Sequence, residues 1–247
     1  MANLVIDIGN TLTKIAVFAQ NDLLQAEQYQ QANAEILLGL IGKFGIKKAI
    51  ISSVRRESEN WEQEIQRYTA LTYFTVDMTA GIQNLYKSPR TLGPDRLAAV
   101  IAAYKTYPGQ NSLVIDAGTA ITYDYVDTEG KYFGGSISPG LNMRYKALNY
   151  YTGGLPLIVA DNNFNQGYGT DTASAIRSGV QNGIKYELFG FIKSYYEAEK
   201  QLNIILSGGD GIFFDTLLKN SIFAPYVKIE PHLVLKGLNA VIQNNND

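Results

Sequence analysis

The run Leu-Val-Ile-Asp-x-Gly occurs twice in this chain, at residues 4–9 and 113–118. The first copy continues as Asp7-Ile8-Gly9-Asn10-Thr11-Leu12-Thr13-Lys14. The second continues as Asp116-Ala117-Gly118-Thr119-Ala120-Ile121-Thr122, with Thr13 and Thr122 in register. A period of about 109 residues is too long for a solenoid repeat and suits a duplicated domain. The turn-forming stretch Pro108-Gly109-Gln110-Asn111 marks the junction. We therefore divide the chain into two halves, 1–111 and 112–247.

Each copy is a short apolar, β-branched run that ends in a carboxylate and is followed by glycine and small polar residues. Such a run reads as a buried strand. Glycine lets backbone N–H groups approach phosphate oxygens. Asn10, Thr11 and Thr13 can donate hydrogen bonds, Lys14 adds positive charge, and Asp7 can hold hydrated Mg²⁺. Taken alone, the first segment reads equally as an ordinary hairpin, because Gly-Asn is a common turn dipeptide. One segment per half, however, is what a nucleotide clamped between duplicated domains needs. The competing nucleotide signatures are missing. Gly39-Leu40-Ile41-Gly42-Lys43 lacks the Gly-x-x-x-x-Gly-Lys-Ser/Thr spacing and lies in a helix-like run, and no Gly-x-Gly-x-x-Gly follows a strand.

The rest of the chain alternates strand and helix patterns. Strands are predicted at 4–7, 14–18, 49–54, 73–76, 122–127, 132–137 and 203–206. Helices are predicted at 34–44, from a Ser58 cap through 68, at 95–107 and at 233–242. Ala173, Ile176, Val180, Ile184, Leu188 and Phe191 recur at helical spacing, so a long helix or a pair of helices follows Asp171. The tail 244–247 is expected to fray.

Composition narrows the chemistry. Without cysteine there are no disulfides, zinc–thiolate sites or thiol nucleophiles. His232 is the single histidine, so a Ser-His-Asp triad or a His-rich metal site would hang on one residue. A net charge of −2 with no basic stripe argues against a nucleic-acid partner. The chain enters its first strand without a cationic segment and apolar core, so a secretory leader is not expected. Its longest apolar stretches, such as 97–104, are too short to span a bilayer. A cytoplasmic protein without a membrane partner is expected.

Gly93-Pro94-Asp95-Arg96 stands directly before an apolar helical run. Proline and an acid both suit a helix start. One reading is a cap with a surface ion pair. The other is a general base beside an anion clamp, since the planar guanidinium fork matches a carboxylate.

Taken in this order and spacing, the three segments resemble the type III pantothenate kinases. This family belongs with actin, heat-shock chaperone ATPases and sugar and acetate kinases. Gly134-Gly135-Ser136-Ile137-Ser138-Pro139-Gly140, Gly169-Thr170-Asp171-Thr172 and Ser207-Gly208-Gly209-Asp210 agree with it, and the resemblance runs from Leu4 to Leu238. It implies an α/β fold of two duplicated actin-like (ribonuclease H-like) domains with a nucleotide cleft between them. It also implies ATP-dependent phosphorylation of pantothenate by a homodimer. Asp7, Ile8, Gly9, Asn10, Thr11, Leu12, Thr13 and Lys14 would form the first ATP-phosphate segment, and Thr119 would contact ATP. Tyr86, Gly93, Pro94, Asp95, Arg96 and Thr172 would contact pantothenate, with Asp95 as proton acceptor. The cofactors implied are Mg²⁺ with ATP and a monovalent cation, K⁺ or NH₄⁺, held by Asp116. The turn 207–211 would lie near the adenosine. Pro94 and Ser207 depart from the family, where a small aliphatic residue and a threonine are usual; neither removes a reacting group. Two rivals remain: an ATP-binding regulator, which would not need the Asp95-Arg96 pair, and a sugar kinase, which in this fold usually carries insertions.

Overall fold

The structure, a computed structural model, describes residues 2–55, 59–199 and 201–244. The first half runs β1 (Ala2–Ile8), β2 (Thr13–Ala19), β3 (Asp22–Tyr29), α1 (Ala34–Phe44), β4 (Lys48–Ser53), α2 (Glu62–Ile65), β5 (Ala70–Tyr73), β6 (Gln83–Asn84) and α3 (Pro94–Thr106). The second half runs β7 (Asn111–Ala117), β8 (Ala120–Val126), β9 (Lys131–Pro139), α4 (Leu141–Tyr151), α5 (Thr172–Arg177), α6 (Gly183–Ala198), β10 (Leu202–Ser207), α7 (Gly211–Leu218), β11 (Val227–Ile229) and α8 (Leu233–Asn244).

The first sheet has the order β3-β2-β1-β4-β5, and the second reads β9-β8-β7-β10-β11 with β6 added beside β9. Strand for strand the two orders are the same. The duplicated sequence is thus a duplicated topology, a two-domain α/β fold. By contacts the chain forms two compact units. One comprises Met1–Gly109, Val126–Phe133 and His232–Asp247; the other comprises Gln110–Tyr125 and Gly134–Pro231. The C-terminal helix therefore groups with the first unit, unlike a single cut at residue 111.

In the first unit, β1 pairs antiparallel with β2 and parallel with β4. Helix α1 packs Leu37, Leu40 and Ile41 with Leu4, Ile6, Ile15 and Trp61 in one apolar cluster. It begins where the Asn33 side chain accepts from the Ile36 amide at 2.9 Å, and it ends at Gly45 with φ 61°. Helix α8 packs against β1, β2, β4 and α3. Its contact with α3 is close: a Cβ on Gly237 would stand 1.8 Å from the Ala98 carbonyl oxygen, so this crossing excludes any larger residue. Asn239, in the second half of α8, accepts from Asn3 at the start of β1 and donates to the Gln20 carbonyl.

In the second unit a cluster of Leu113, Ile115, Tyr123, Ile184, Leu188, Ile204, Leu206 and Phe214 fills the sheet's covered side. Tyr123 is fully buried, stacks on Phe191 at 4.2 Å and donates to Glu187; burial raises its pKa. The helical pattern after Asp171 resolves into α5, one π-helical turn at Ser178–Asn182, and α6.

Several expectations shift. The strand predicted at 73–76 is β5, Ala70–Tyr73. Parallel pairing sets its register, Lys48↔Ala70 through Ile51↔Tyr73, and the chain then leaves the sheet. The helix predicted through residue 68 is the single turn α2; Ser58 lies outside the described residues, as do 245–247 of the tail. No described helix is long and apolar enough to cross a membrane.

Candidate active site

In the first unit the segment 7–14 is the β1–β2 turn. Asp7 pairs with Lys14 and Ile8 with Thr13, and the Gly9 amide donates to the Leu12 carbonyl at 3.0 Å. Asp7 and Thr13 are buried, whereas Asn10 and Thr11 at the tip are exposed. On the other side Asp7 is in register with Ser52 of β4. Ser52 is fully buried, and its Oγ has no hydrogen-bond partner among the described residues. A buried carboxylate, an orphaned hydroxyl beside it, exposed amide and hydroxyl donors and a lysine form a donor set that fits hydrated Mg²⁺ and phosphate oxygens. The strand end after β4 closes on the same turn. Val54 N–H donates to the Ile8 carbonyl at 3.1 Å, and Arg55 Nε donates to the Gly9 carbonyl at 3.2 Å.

Helix α8 begins toward this end of the unit, where His232 feels the charge of Lys14. The contact of α3 with α8, Ala98 with Gly237, lies about one turn, or ~6 Å, from the start of each. Both first turns therefore lie beside that crossing. His232, just before α8, feels the charges of Lys236 and Lys14; burial first, and then these lysines, hold it below its ordinary pKa.

Gly93 is the N-cap of α3 and Pro94 its first residue. The Asp95 carboxylate turns back, and its Oδ1 accepts from the Arg96 amide at 2.9 Å. A Cβ on Gly93 would meet that oxygen at 2.5 Å, so glycine leaves the space it occupies. Arg96 is not on the surface: it is 6% exposed, with its guanidinium carbon 5.6 Å from the centre of the Tyr86 ring. Tyr86 stacks in turn on Tyr132, with ring planes 7° apart. The pairing of β6 with the start of β9, Gln83↔Lys131 and Asn84↔Tyr132, sets Tyr86 in place. The structure thus gathers Tyr86, Gly93, Pro94, Asp95 and Arg96 into one cluster, although Tyr86 lies seven residues before Gly93 in sequence.

In the second unit Asp116 lies near the end of β7, half-buried, and Thr119 on the β7–β8 turn, exposed. The turn 207–210 packs onto it. Ser207 pairs with Asp116, and Asp210 N–H donates to the Ala117 carbonyl at 2.9 Å. Gly208 has φ 87°, and a Cβ there would lie 2.4 Å from Asp116 Oδ1. Burial raises the Asp210 carboxyl. Thr172 is exposed at the first position of α5. It lies within a capping box in which Asp171 accepts from the Ser174 amide at 3.0 Å and the Asp171 amide donates to the Ser174 hydroxyl. The Ser174 hydroxyl, which donates to Asp171 Oδ2 at 2.7 Å, and then the Ser174 amide hold the Asp171 carboxyl low. No group of three or more metal-ligating acids or histidines occurs among the described residues. The sequence reading missed Arg55, which sits in no recognisable motif and reaches the Gly9 turn only because β4 lies next to β1.

A family model of type III pantothenate kinases matches residues 3–196. A type III pantothenate kinase from Bacteroides fragilis (strain YCH46) is 42% identical over 245 residues, covering 99% of this chain and 98% of that protein. Another, from Christiangramia forsetii, is 43% identical over 245 residues, covering 98% of each. Among solved structures, the activator of 2-hydroxyisocaproyl-CoA dehydratase from Clostridium difficile, with bound ADPNP, superposes with a TM-score of 0.59 at 13% identity. It covers 99% of this chain and 96% of that one. The (R)-2-hydroxyglutaryl-CoA dehydratase component A from Acidaminococcus fermentans gives 0.54 at 11% identity, over 98% and 97%. At these identities the structural likeness is one of fold.

Proposed function

The chain belongs to the type III pantothenate kinase family, and from that membership we infer its reaction: ATP and pantothenate give ADP and 4′-phosphopantothenate, the first step of coenzyme A biosynthesis. A kinase of this kind uses ATP with a divalent metal. Phosphoryl transfer runs through a loose transition state, so the protein chiefly positions the reactants and neutralises charge.

ATP supplies the phosphoryl group, and Mg²⁺ offsets the charge of its oxygens. Residues 7–14 hold those phosphates: Gly9 allows close backbone approach, Asn10, Thr11 and Thr13 donate, Lys14 adds charge, and Asp7 would hold the hydrated metal. Asp95 accepts the proton of pantothenate's terminal hydroxyl as that oxygen bonds to phosphorus. Arg96 grips the pantothenate carboxylate, and Tyr86 beneath the guanidinium limits its tilt, so the hydroxyl is presented in one orientation. Gly93, Pro94 and Thr172 complete the pantothenate contacts. Thr119 contacts ATP, and Asp116 would hold the monovalent cation, K⁺ or NH₄⁺. The enzyme acts as a cytoplasmic homodimer of chains that each carry the duplicated halves, with no nucleic-acid or membrane partner.

The observation that carries this reading is the first turn of α3: a carboxylate tied to the helix amide and, next to it, an arginine buried on Tyr86. The test is a coupled assay of ADP release with and without pantothenate, in potassium, ammonium and sodium salts at constant ionic strength. Release should require pantothenate and rise in potassium or ammonium. Pantothenate-independent release would sink the substrate, and equal rates in all three salts would remove Asp116 as a cation ligand.

A further inference from the structure

Arg55 is used by nothing in the mechanism above, yet it is fastened to the turn that mechanism depends on. Its Nε donates to the Gly9 carbonyl at 3.2 Å. One residue earlier, Val54 N–H donates to the Ile8 carbonyl at 3.1 Å, so two consecutive residues grip two consecutive carbonyls of the β1–β2 turn. The backbone from which the side chain departs is itself held. Arg55 N–H donates to Ser53 Oγ at 3.0 Å, and that hydroxyl donates to the Arg55 carbonyl at 3.2 Å. The outer edge of the guanidinium meets Glu59, Nη1 to Oε1, at 3.4 Å, with the Arg55 side chain 37% exposed and that of Glu59 23%.

This arrangement is asymmetric. The Nε edge is committed to the turn by a hydrogen bond to a carbonyl that a side-chain amide could equally satisfy. The Nη edge, which shares the delocalised permanent charge, meets an acid in a long, partly solvated pair. Such exposed pairs contribute little. Phosphate is the better partner, because the guanidinium fork matches two of its oxygens and charge-assisted bonds of this kind are short and strong. The turn it grips exposes Asn10 and Thr11, the donors expected to meet a polyphosphate.

We propose that Arg55 is a nucleotide-binding residue. Its Nε bond to Gly9 shapes the turn, and its Nη groups exchange Glu59 for oxygens of a nucleoside triphosphate's phosphate chain. The proposal rests on residues 7–14 being the ATP-phosphate segment. Glu59 holds the guanidinium in place when no nucleotide is bound, and neither residue touches pantothenate.

The experiment titrates the full-length protein with ATP and with AMP by calorimetry, alongside steady-state kinetics. The proteins are wild type, Arg55→Ala, Arg55→Lys, Glu59→Gln and Lys14→Ala, with far-UV circular dichroism to verify folding. Arg55→Ala should weaken ATP binding and raise KM for ATP by roughly ten- to a hundred-fold, the loss expected of one charge-assisted contact. AMP affinity and KM for pantothenate should stay within about two-fold of wild type. Arg55→Lys should recover part of the ATP affinity, and Glu59→Gln should leave it equal or tighter. Arg55→Ala with wild-type ATP affinity overturns the proposal. So does an equal fall for ATP and AMP, which is the mark of a turn that has merely lost its shape. Lys14→Ala separates the two layers. If it weakens ATP binding while Arg55→Ala does not, Arg55 alone is misassigned. If it has no effect, the phosphate reading of residues 7–14 fails and this proposal with it.

Discussion

Replacing Gly208 by alanine tests both the packing of the second unit and the role of Asp116. Gly208 has φ 87°, and an added Cβ would lie 2.3 Å from the Ala117 carbonyl oxygen and 2.4 Å from Asp116 Oδ1. A non-glycine residue held at positive φ costs about 1–2 kcal/mol. Forcing a methyl group into filled space costs a further ~1–3 kcal/mol. The sum, about 2–5 kcal/mol, corresponds to a fall in Tm of roughly 4–20 °C for a chain of this size. The neighbouring Gly209 is the control. It is exposed and nothing lies within 4 Å of its Cβ position, so Gly209→Ala should shift stability by no more than about 1 kcal/mol. Thermal unfolding followed by circular dichroism reads the first effect. The ratio of kcat in potassium to kcat in sodium reads the second, because the clash falls on the Asp116 carboxylate and should drive that ratio toward one. Equal Tm values for the two variants would refute the packing argument. A lowered Tm with an unchanged salt ratio would refute the assignment of Asp116 as the cation ligand.

Asp95→Asn keeps the shape of the first turn of α3 but cannot accept a proton, so kcat should fall by ~10²–10⁴ while KM for ATP stays near wild type; a wild-type kcat rules out Asp95 as the base. Pantothenol, which ends in an alcohol, should show a kcat/KM about ten- to a hundred-fold below that of pantothenate, with the preference reduced in Arg96→Lys and mostly gone in Arg96→Ala. Because Arg96 is buried on Tyr86, the alanine variant should also melt earlier; a stable variant that retains full discrimination makes Arg96 structural only. His232 has a folded pKa below its unfolded value, chiefly through burial, so the unfolded chain binds more protons as pH drops through the range below about 6.5. That contribution to stability is intact above pH 6.5 and is lost on acidification. His232→Gln should flatten the slope of Tm against pH in this range, and an unchanged slope excludes His232 as its source.

The residues 4–9 and 113–118 were legible as strand ends because a buried strand leaves a local mark, a β-branched apolar run, and the turns after them because glycine followed by polar residues is equally local. The same holds for α1, whose predicted bounds 34–44 are those observed, with Asn33 and Gly45 as its caps. Edge and half-exposed elements left no such mark. β3 mixes Asp22, Gln25, Glu27 and Gln28 with its apolar residues, and its pairing with β2 decides its existence. β5 lies three residues earlier than its apolar pattern suggests, because the parallel partner β4 sets the register. The site divides in the same way. The segments 7–14, 93–96 and 116–122 are contiguous and could be read along the chain. The stacking of Arg96 on Tyr86, the reach of Arg55 to Gly9 and the pressure of Gly208 on Asp116 join residues from different elements. The sequence by itself determined the duplication, the paired Asp-x-Gly turns and the Asp95-Arg96 helix start, since each is written in neighbouring residues. Only the tertiary structure decided which side chains meet, and which unit receives the C-terminal helix. Those outcomes depend on strand order and close packing, such as Gly237 against Ala98, and they arise from contacts between residues far apart in the chain.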